Sequence, residues 1–368
     1  MKKVLRTIGI TLLSIFGVLL IGLVVLAVNS PGKLEPIKDV EGNINKGSIV
    51  EKNWIEIGGI QQGFFIRTEN QENPVILSLH GGPGNPELPI ILHFESSGRL
   101  ERYFTVVYWD QRGAGMSFCS SIDPETMTIE QMVEETRQMT EYLKQRFNQE
   151  KIFLMGHSWG SLLGIKTIEK HPENYWAFIG IGQETHFLES EKLAYDFMLQ
   201  HAMEINDKPV IKRLKKIDRN SQDFPQLNYI ISTRNQLLDR YGFGMIRDGI
   251  STFDITVTYL FFKGYTFSEK IKYIRGQLFS IEHLWNCFFE VNLFESSTAF
   301  QVPIYFLHGK YDYTVSYTLA REYFEIIEAP QKEFFTFENS AHSPHLEERE
   351  KFIQIVRNIT LEAMGNYK

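Results

Sequence analysis

At 368 residues, the chain is long enough for one large domain or for a domain that carries an insertion. Its 43% hydrophobic and 23% charged residues are typical of a globular protein, and its net charge of −7 argues against nucleic acid as a partner, because phosphate binding requires clustered Lys and Arg. Its two cysteines, Cys119 and Cys287, form neither a C-x-x-C pair nor a Cys/His cluster, which argues against zinc and leaves a disulfide open.

The N-terminal segment is the first predicted element and differs from the rest of the chain. Residues 8–28 contain no charge and, as a helix, would span about 30 Å, the thickness of the hydrocarbon core of a bilayer. Lys2, Lys3 and Arg6 precede this run, so the positive-inside rule places the short tail in the cytoplasm. We predict a single-pass anchor in the cell membrane, with the remaining chain on the extracytoplasmic side.

A cleavable signal peptide is the alternative interpretation of this segment. The apolar core of a signal peptide usually has about 7–15 residues and ends in small residues at the cleavage site. The run here is longer, and residues 28–32, VNSPG, do not match an A-x-A site. These features favour an anchor within residues 1–30, followed by a linker over residues 31–48.

Short apolar runs alternate with segments of helical spacing through most of the remaining chain. Residues 54–67 predict a β-hairpin around Gly58 and Gly59. Further strands are predicted at 74–80, 104–110, 151–155, 177–182, 302–309 and 333–338, and helices at 126–147, after Ser158, and at 345–364. Continuous apolar strands alternating with helices indicate an α/β fold, with a mostly parallel sheet covered by helices on both faces.

Residues 186–300 interrupt this alternation. They are polar and aromatic-rich, have helical character and contain few strand-like runs. We predict that they form a helical cap, which is inserted into a core of residues 49–185 and 301–368 and lies over the sheet.

The sequence Gly156-His157-Ser158-Trp159-Gly160 has the pattern G-x-S-x-G. The serine follows a predicted strand and opens a predicted helix, which is the context that a nucleophile elbow requires. The glycines leave room for close backbone approach, and the helix N-terminus favours developing negative charge. Ser158 is therefore a candidate nucleophile, although glycine and serine at a tight turn are also explained by packing alone.

A neutral serine needs a base and a group that orients the base. His342 follows the last predicted strand in a loop of small residues, whereas His345 begins the predicted final helix and is expected to turn away. Asp312 follows the preceding strand in a turn. The order Ser158, Asp312, His342 is the order found in strand-turn-helix serine hydrolases.

Acyl transfer also requires N–H donors that stabilise an oxyanion. The residue after the nucleophile, Trp159, is expected to supply one backbone amide. The glycine loop in residues 79–86, LHGGPGNP, is expected to supply the other, from Gly82. The loop resembles a phosphate-binding loop only faintly, because no G-K-[ST] follows it.

These segments together resemble the prolyl aminopeptidase (proline iminopeptidase) group of serine peptidases within the α/β-hydrolase superfamily. The resemblance covers roughly residues 50–185 and 300–365. The motifs that carry it are HGGPG (80–84), YWDQRGAGMS (108–117), GHSWGS (156–161), HGKYDYTV (308–315) and SAHSPHLE (340–347). It implies Ser158 as nucleophile, His342 as base and Asp312 as its orienting group, and it requires no metal or organic cofactor.

The resemblance also implies roles for residues outside the triad. It implies an oxyanion hole near Gly82 and Trp159, and Asp110 and Arg112 of the second motif are expected to brace the loops beside the site. Members of this group hold the free amine of the substrate with cap carboxylates. The cap of this chain lacks a clear W-x-x-W-E motif, and the candidates for that contact are Glu184, Glu282 and Glu290.

The leading expectation is a serine hydrolase that releases N-terminal residues, proline preferred, from small peptides. A carboxylesterase or amide hydrolase for small apolar substrates is the second, because the cap is rich in aromatic residues. A non-catalytic binding protein on a hydrolase scaffold is the third. Epoxide hydrolases and dehalogenases share the fold but use Asp as nucleophile, so Ser158 argues against them.

Overall fold

A computed structural model describes residues 2–38, 41–45, 47–247 and 252–365 of the chain. Parts of the predicted linker (39, 40 and 46) and of the predicted cap (248–251) lie outside these residues, as do residue 1 and residues 366–368. All the motifs quoted above fall within the described ranges.

Eight strands form one sheet, in the order β1-β2-β4-β3-β5-β6-β7-β8. The strands are β1 (Ile49–Ile57), β2 (Ile60–Thr68), β3 (Val75–Leu79), β4 (Thr105–Trp109), β5 (Ile152–His157), β6 (Tyr175–Ile181), β7 (Ile304–Gly309) and β8 (Lys332–Phe337). Pairing is antiparallel for β1 with β2 and for β2 with β4, and parallel through the rest of the sheet. The mostly parallel sheet expected from the sequence is therefore confirmed.

The central strands are buried on both faces. In β3, the side chains of Val75, Leu77 and Leu79 join one apolar cluster, and Ile76 between them joins the other. Successive side chains of a strand point to opposite faces, so the two clusters are the two cores on either side of the sheet. This is why the parallel strands are continuous apolar runs in the sequence.

The hairpin at the edge of the sheet turns where the sequence predicts it. Gly58 and Gly59 connect β1 to β2 with φ angles of +58° and +77°. Two consecutive positive φ angles are what a two-residue turn between twisted strands requires.

Helices cover both faces of the sheet and fill the segment between β6 and β7. The helices are α1 (Lys2–Val28), α2 (Leu88–His93), α3 (Ile129–Phe147), α4 (Trp159–Lys170), α5 (Phe187–Glu204), α6 (Lys208–Leu214), α7 (Leu227–Tyr229), α8 (Asn235–Tyr241), α9 (Thr252–Phe261), α10 (Phe267–Glu290), α11 (Leu293–Ser296), α12 (Tyr317–Ile326), α13 (Pro344–Glu347) and α14 (Arg349–Gly365). Helices α5 to α11 lie within the sequence predicted to form the cap.

The predicted closing helix at 345–364 is two helices in the structure. Glu348 separates α13 from α14, with φ and ψ angles of −113° and 52° that do not continue a helix. His345 therefore lies in the short α13, and the long helix starts at Arg349.

Helix α1 contains a span from Arg6 to Val28 that is long and apolar enough to cross a membrane, and no part of its most apolar window is buried against the protein. A signal sequence would satisfy the same length and composition. The cysteines Cys119 and Cys287 are both half-buried free thiols, so they do not form the disulfide that the sequence left open.

Candidate active site

Ser158 occupies a sharp turn between β5 and α4. Its φ and ψ angles are 54° and −121°, a conformation that non-glycine residues rarely adopt. Such strain persists only where the surrounding structure enforces it, and here the Ser158 N–H donates to the Ile181 carbonyl at 2.9 Å. The serine lines a cavity of about 850 Å³.

The glycines on either side of Ser158 are explained by close backbone contacts. A Cβ atom on Gly156 would lie 2.2 Å from the Gly160 carbonyl oxygen, and a Cβ atom on Gly160 would lie 2.1 Å from the Leu79 carbonyl oxygen. Both distances are far below van der Waals contact. The end of β5 can therefore approach the start of α4 only if position 156 lacks a side chain, and the turn can pack against the end of β3 only if position 160 lacks one.

Asp312 and His342 are in direct contact at the end of the sheet. His342 Nδ1 lies 2.8 Å from Asp312 Oδ2, and the backbone N–H groups of Thr314 and Val315 each donate to Asp312 Oδ1 at 2.9 Å. Burial alone would raise the pKa of Asp312, but His342 and His308 lower it well below its usual range. The aspartate is thus an anion that fixes the orientation of the imidazole.

His342 faces the same cavity as Ser158. Its ring also lies close to the backbone after β6, since a Cβ atom on Gly182 would lie 2.9 Å from His342 Cε1. Burial lowers the pKa of His342, and the contact with Asp312 opposes that shift without cancelling it. The neutral imidazole, which is the form able to accept a proton, is favoured as a result.

His345 takes a different position from His342. Its ring contacts the rings of His157 and Phe352, with centroids 4.6 and 5.9 Å away. It is buried and is one of the residues that line the cavity, so it does not turn away from the cavity as the sequence suggested. Burial lowers the pKa of His345 well below its usual range.

The two residues expected to form an oxyanion hole are Trp159, which follows Ser158 in the chain, and Gly82, which lines the same cavity as Ser158. Trp159 is the first residue of α4, where backbone N–H groups have no acceptor within the helix. Gly82 lines the cavity and has a φ angle of +118°, in the region that favours glycine. The Trp159 indole N–H donates to Gln111 Oε1 at 3.0 Å, and Gln111 Nε2 donates to the His80 carbonyl at 3.2 Å, so Gln111 connects the elbow to the glycine loop.

Asp110 and Arg112 hold neighbouring loops in place. The Asp110 carboxylate accepts from the Met116 N–H and from the Tyr265 hydroxyl, each at 2.8 Å. Arg112 pairs with the buried Glu135 at 2.5 Å. Neither residue lines the cavity as far as the chain is described, in agreement with the bracing role expected from the sequence.

Sequence reasoning missed Glu87 and His157. His157 Nδ1 lies 2.5 Å from Glu87 Oε1, and His157 Nε2 lies 3.0 Å from the His342 carbonyl oxygen. The Gly81 N–H also donates to Glu87 Oε1, at 3.0 Å. This pair therefore connects the glycine loop, the elbow and the loop of His342. In the sequence, the pair could have been suspected only from a carboxylate shortly after HGGPG and an imidazole inside G-x-S-x-G.

The Glu87–His157 pair is charged. Both ring nitrogens of His157 face acceptor oxygens, so the doubly protonated ring satisfies both. Burial lowers the pKa of His157, but Glu87 more than offsets this and leaves the pKa raised. Burial raises the pKa of Glu87, yet His157 brings it down to about 2.

Glu87, His157 and His345 also offer three ligand atoms within 4.8 Å of one another, which is a spacing a metal ion could use. Two of the three residues already bond to each other at 2.5 Å, so their arrangement is explained without an ion.

The three glutamates that are candidates for binding the substrate amine are placed differently. Glu184 is buried and lines the cavity, whereas Glu282 and Glu290 are exposed on α10 and are not among the described residues that line it. Burial raises the pKa of Glu184 to about 8. Its own contact is the Thr185 N–H, which donates to Glu184 Oε1 at 3.0 Å. Of the three, only Glu184 is brought near Ser158.

The fold and these motifs are those of an α/β hydrolase. A family model described as alpha/beta hydrolase fold matches residues 74–349, and the chain belongs to this family. The protein of Bacillus subtilis (strain 168) named "Probable aminopeptidase YbaC" is 33% identical over 312 residues, which are 83% of this chain and 95% of that protein.

The chain is also similar to proline iminopeptidases. The enzyme of Lactobacillus helveticus (strain DPC 4571) is 32% identical over 122 residues, which are 33% of this chain and 40% of that protein. The crystal structure of proline iminopeptidase from Mycobacterium smegmatis has a TM-score of 0.62 at 16% identity, over 86% of this chain and 100% of that one. The family resemblance predicted from the sequence motifs is confirmed.

Proposed function

We propose that this chain is a membrane-anchored serine hydrolase of the prolyl aminopeptidase type, which releases N-terminal residues, proline preferred, from small peptides. The observation that carries the proposal is the arrangement around one cavity: Ser158 on a strained turn, and His342 bonded to Asp312 at 2.8 Å. The similarity to proteins named aminopeptidase and proline iminopeptidase supports the choice of substrate.

The proposed reaction proceeds through an acyl-enzyme. His342 takes the hydroxyl proton of Ser158 as the oxygen attacks the substrate carbonyl, and Asp312 stabilises the imidazolium that forms. The amides of Gly82 and Trp159 stabilise the tetrahedral oxyanion. The leaving amine then takes the proton from His342. Water attacks the acyl-enzyme ester as His342 accepts a proton from the water, and His342 finally returns that proton to the Ser158 oxygen.

Glu184 is the proposed contact for the free amine of the substrate. The Glu184 N–H donates to Ser161 Oγ at 2.9 Å, and that hydroxyl donates to the Ser158 carbonyl at 2.6 Å, so Glu184 is tied to the elbow. A buried carboxyl with a pKa of about 8 is largely neutral at pH 7. An ammonium group entering the cavity would favour its ionisation, and a substrate without that charge would leave it neutral.

The proposed location is the cell membrane, with α1 as an uncleaved single-pass anchor and the hydrolase outside. The charge-free run at residues 8–28 supports the anchor, and the basic residues before that run support this orientation.

A carboxylesterase or amide hydrolase for apolar substrates is a second candidate, because apolar side chains dominate the cavity wall. Phe187, Trp285 and Phe288 line it, and the Phe187 ring packs edge-to-face against each of the other two. A short apolar acyl group would be buried against such a surface without requiring Glu184.

A substrate panel separates these functions. We expect the full chain to hydrolyse a proline arylamide with a higher kcat/KM than its N-acetylated counterpart or a short-chain ester, and Ser158→Ala to lower kcat by roughly a thousandfold or more. A fluorophosphonate probe should label the wild type and not Ser158→Ala. Turnover of esters without arylamides would replace the aminopeptidase by an esterase, and absence of both turnover and labelling would leave a binding protein.

A further inference from the structure

One face of helix α10 is apolar and turned to solvent. Phe267, Ile271, Ile274 and Leu278 are between 36% and 63% exposed. Their spacing of four, three and four residues puts them on one side of the helix, over about 17 Å of its length. The outer side of a surface helix is normally polar, so a contiguous apolar outer side indicates a contact with another apolar surface. We call these four residues the apolar face of α10.

The start of α10 is bonded to the end of the predicted anchor. Lys270 Nζ donates to the Asn29 carbonyl at 2.8 Å, directly after α1 ends at Val28. The Lys33 N–H donates to the Lys263 carbonyl at 3.0 Å, and Pro31 and Thr266 form an isolated antiparallel bridge. If α1 crosses the membrane, the membrane surface lies at its end, and the N-terminal half of α10 lies beside that surface.

A further feature near this junction is typical of a membrane interface. Lys52 Nζ lies 3.4 Å from the Gly32 carbonyl and 5.2 Å from the ring centroid of Trp54, whose side chain is exposed. Tryptophan is enriched where protein meets lipid headgroups.

The mouth of the active-site cavity opens at the same face. Ile274 belongs to the apolar face and also lines the cavity, and Ile231 on the neighbouring helical segment lines the cavity with half of its surface exposed. Lys270 and Tyr273 of α10 are part of the same wall. A ligand that leaves lipid along α10 would therefore enter the cavity past apolar side chains.

We propose that the apolar face of α10 lies in the lipid headgroup region beside α1, and that the cavity takes substrates with an apolar chain from the bilayer. The inference rests on the proposed membrane anchor. A bilayer, rather than a second copy of the chain, is the occupant because the anchor is continuous with the segment bonded to α10.

A single-site fluorescent probe tests where the apolar face lies. The full chain, with Cys119→Ser and Cys287→Ser, carries Leu278→Cys labelled with nitrobenzoxadiazole, in vesicles of phosphatidylcholine and phosphatidylglycerol. The matched control is Leu361→Cys, an equally exposed leucine on α14. We expect lipid-borne nitroxide to quench the probe at 278 and aqueous iodide to quench the probe at 361.

Each other result overturns the inference. Iodide quenching at 278 in a chain that floats with the vesicles would show that the anchor is real and the apolar face is not in lipid. A chain that does not float with the vesicles would show that α1 is not a membrane anchor. This inference would then be wrong, whereas the proposed hydrolase chemistry would be unaffected. Shielding at 278 from both quenchers that disappears on dilution would show that a second copy covers the face.

Turnover tests the substrate route separately. The double variant Ile271→Glu with Leu278→Glu changes two residues that do not line the cavity. We expect it to hydrolyse a long-chain ester embedded in vesicles with kcat/KM at least about tenfold lower than the wild type, and a short soluble ester at an unchanged rate. Leu361→Glu should change neither rate. Equal loss on both esters, or no loss on either, would contradict a lipid-side route.

Discussion

At the scale of the residue, the site depends on lowered pKa values in two buried groups that touch, Asp312 and His342, because this direction keeps the carboxyl charged and the imidazole neutral. Asp312 has four partners for its charge, since His308 Nε2 lies 3.0 Å from Asp312 Oδ2 in addition to His342 and two backbone N–H groups. It therefore remains an anion despite burial, which by itself would raise its pKa. His342 is buried next to the charged His157, with ring centroids 4.7 Å apart, so its pKa falls although an anion is adjacent.

The pH dependence of kcat/KM follows from the shift in His342. The base must be neutral, so activity is lost as the pH falls through the pKa of His342. Because burial lowers that pKa from its usual value of 6.5, we expect the acidic limb to have its midpoint below 6.5. The measurement is kcat/KM for a soluble ester, which has no titrating amine, over a range of about pH 4–9. A flat profile, or a midpoint above 6.5, would contradict this assignment.

At the scale of the element, the turn between β5 and α4 depends on contacts with β3. Gly160 approaches the end of β3 so closely that no side chain fits, and the glycine loop begins directly after that strand. The position of the serine and the position of the proposed oxyanion donors are thus set by one packing contact.

Substitution Gly160→Ala tests this contact. The added Cβ would meet the carbonyl oxygens of Leu79 and His80 at 2.1 and 2.9 Å, so either the strand end or the elbow must move. We expect the free energy of unfolding to fall by about 1–3 kcal/mol and kcat to fall more than KM rises. The measurements are urea denaturation and steady-state kinetics.

The matched control for that variant is Gly365→Ala. A Cβ atom there would have no neighbour within 4 Å among the residues that the structure describes, so stability and kcat should stay close to those of the wild type. An unchanged kcat in Gly160→Ala would argue against a shared position for the serine and the glycine loop.

At the scale of the whole molecule, helices of the predicted cap line the cavity together with Glu184, a carboxyl that burial keeps protonated. The folded state holds the proton of Glu184 up to about pH 8, whereas the unfolded chain releases it near the ordinary value of 4.5. The unfolded state therefore binds fewer protons between these values, and stability falls as the pH rises through this window. The proposed contact with the charged amine of the substrate would explain why the protein keeps a buried carboxyl that lowers its stability at neutral pH.

The variant Glu184→Gln should be more stable than the wild type above pH 4.5, with a gain that grows up to about pH 8. The amide oxygen can still accept the Thr185 N–H, so the gain is on the order of 1–3 kcal/mol. The same variant should raise KM for substrates with a free amine and leave KM for short esters unchanged. Thermal melts at several pH values and kinetics with both substrates are the measurements.

Glu282→Gln, at an exposed position on α10, is the matched control and should change neither the stability of the protein nor KM for substrates with a free amine. If Glu184→Gln altered KM for esters and arylamides equally, Glu184 would be part of the cavity wall and not the contact for the amine.

Much of the architecture could be predicted because it follows from local patterns in the sequence. The apolar runs at 74–80 and 104–110 became β3 and β4 within one residue at each end, since strands buried on both faces need no alternation. The sequence indicated Ser158 as a candidate nucleophile because a nucleophile elbow needs glycine at fixed positions around the serine. The chain order of Ser158, Asp312 and His342 then indicated which residues were candidates for the orienting group and the base.

Other features depend on which segments meet, and the sequence alone does not contain that information. No local pattern distinguishes Glu184, which faces the cavity, from Glu282 and Glu290, which face solvent. Glu184 lies in the loop after β6 and the other two lie on α10, and the packing of both segments is set by the rest of the fold. The Glu87–His157 pair joins residues 70 positions apart.

The sequence by itself therefore determined the fold class, the elbow and the apolar N-terminal helix, because periodicity, glycine placement and charge-free length act over a few residues. Only the tertiary structure decided which carboxyls enter the cavity, which groups hold the His342 loop, and that the apolar face of α10 begins where α1 ends. Those relations arise from burial and from hydrogen bonds between distant segments, and both exist only once the chain has folded.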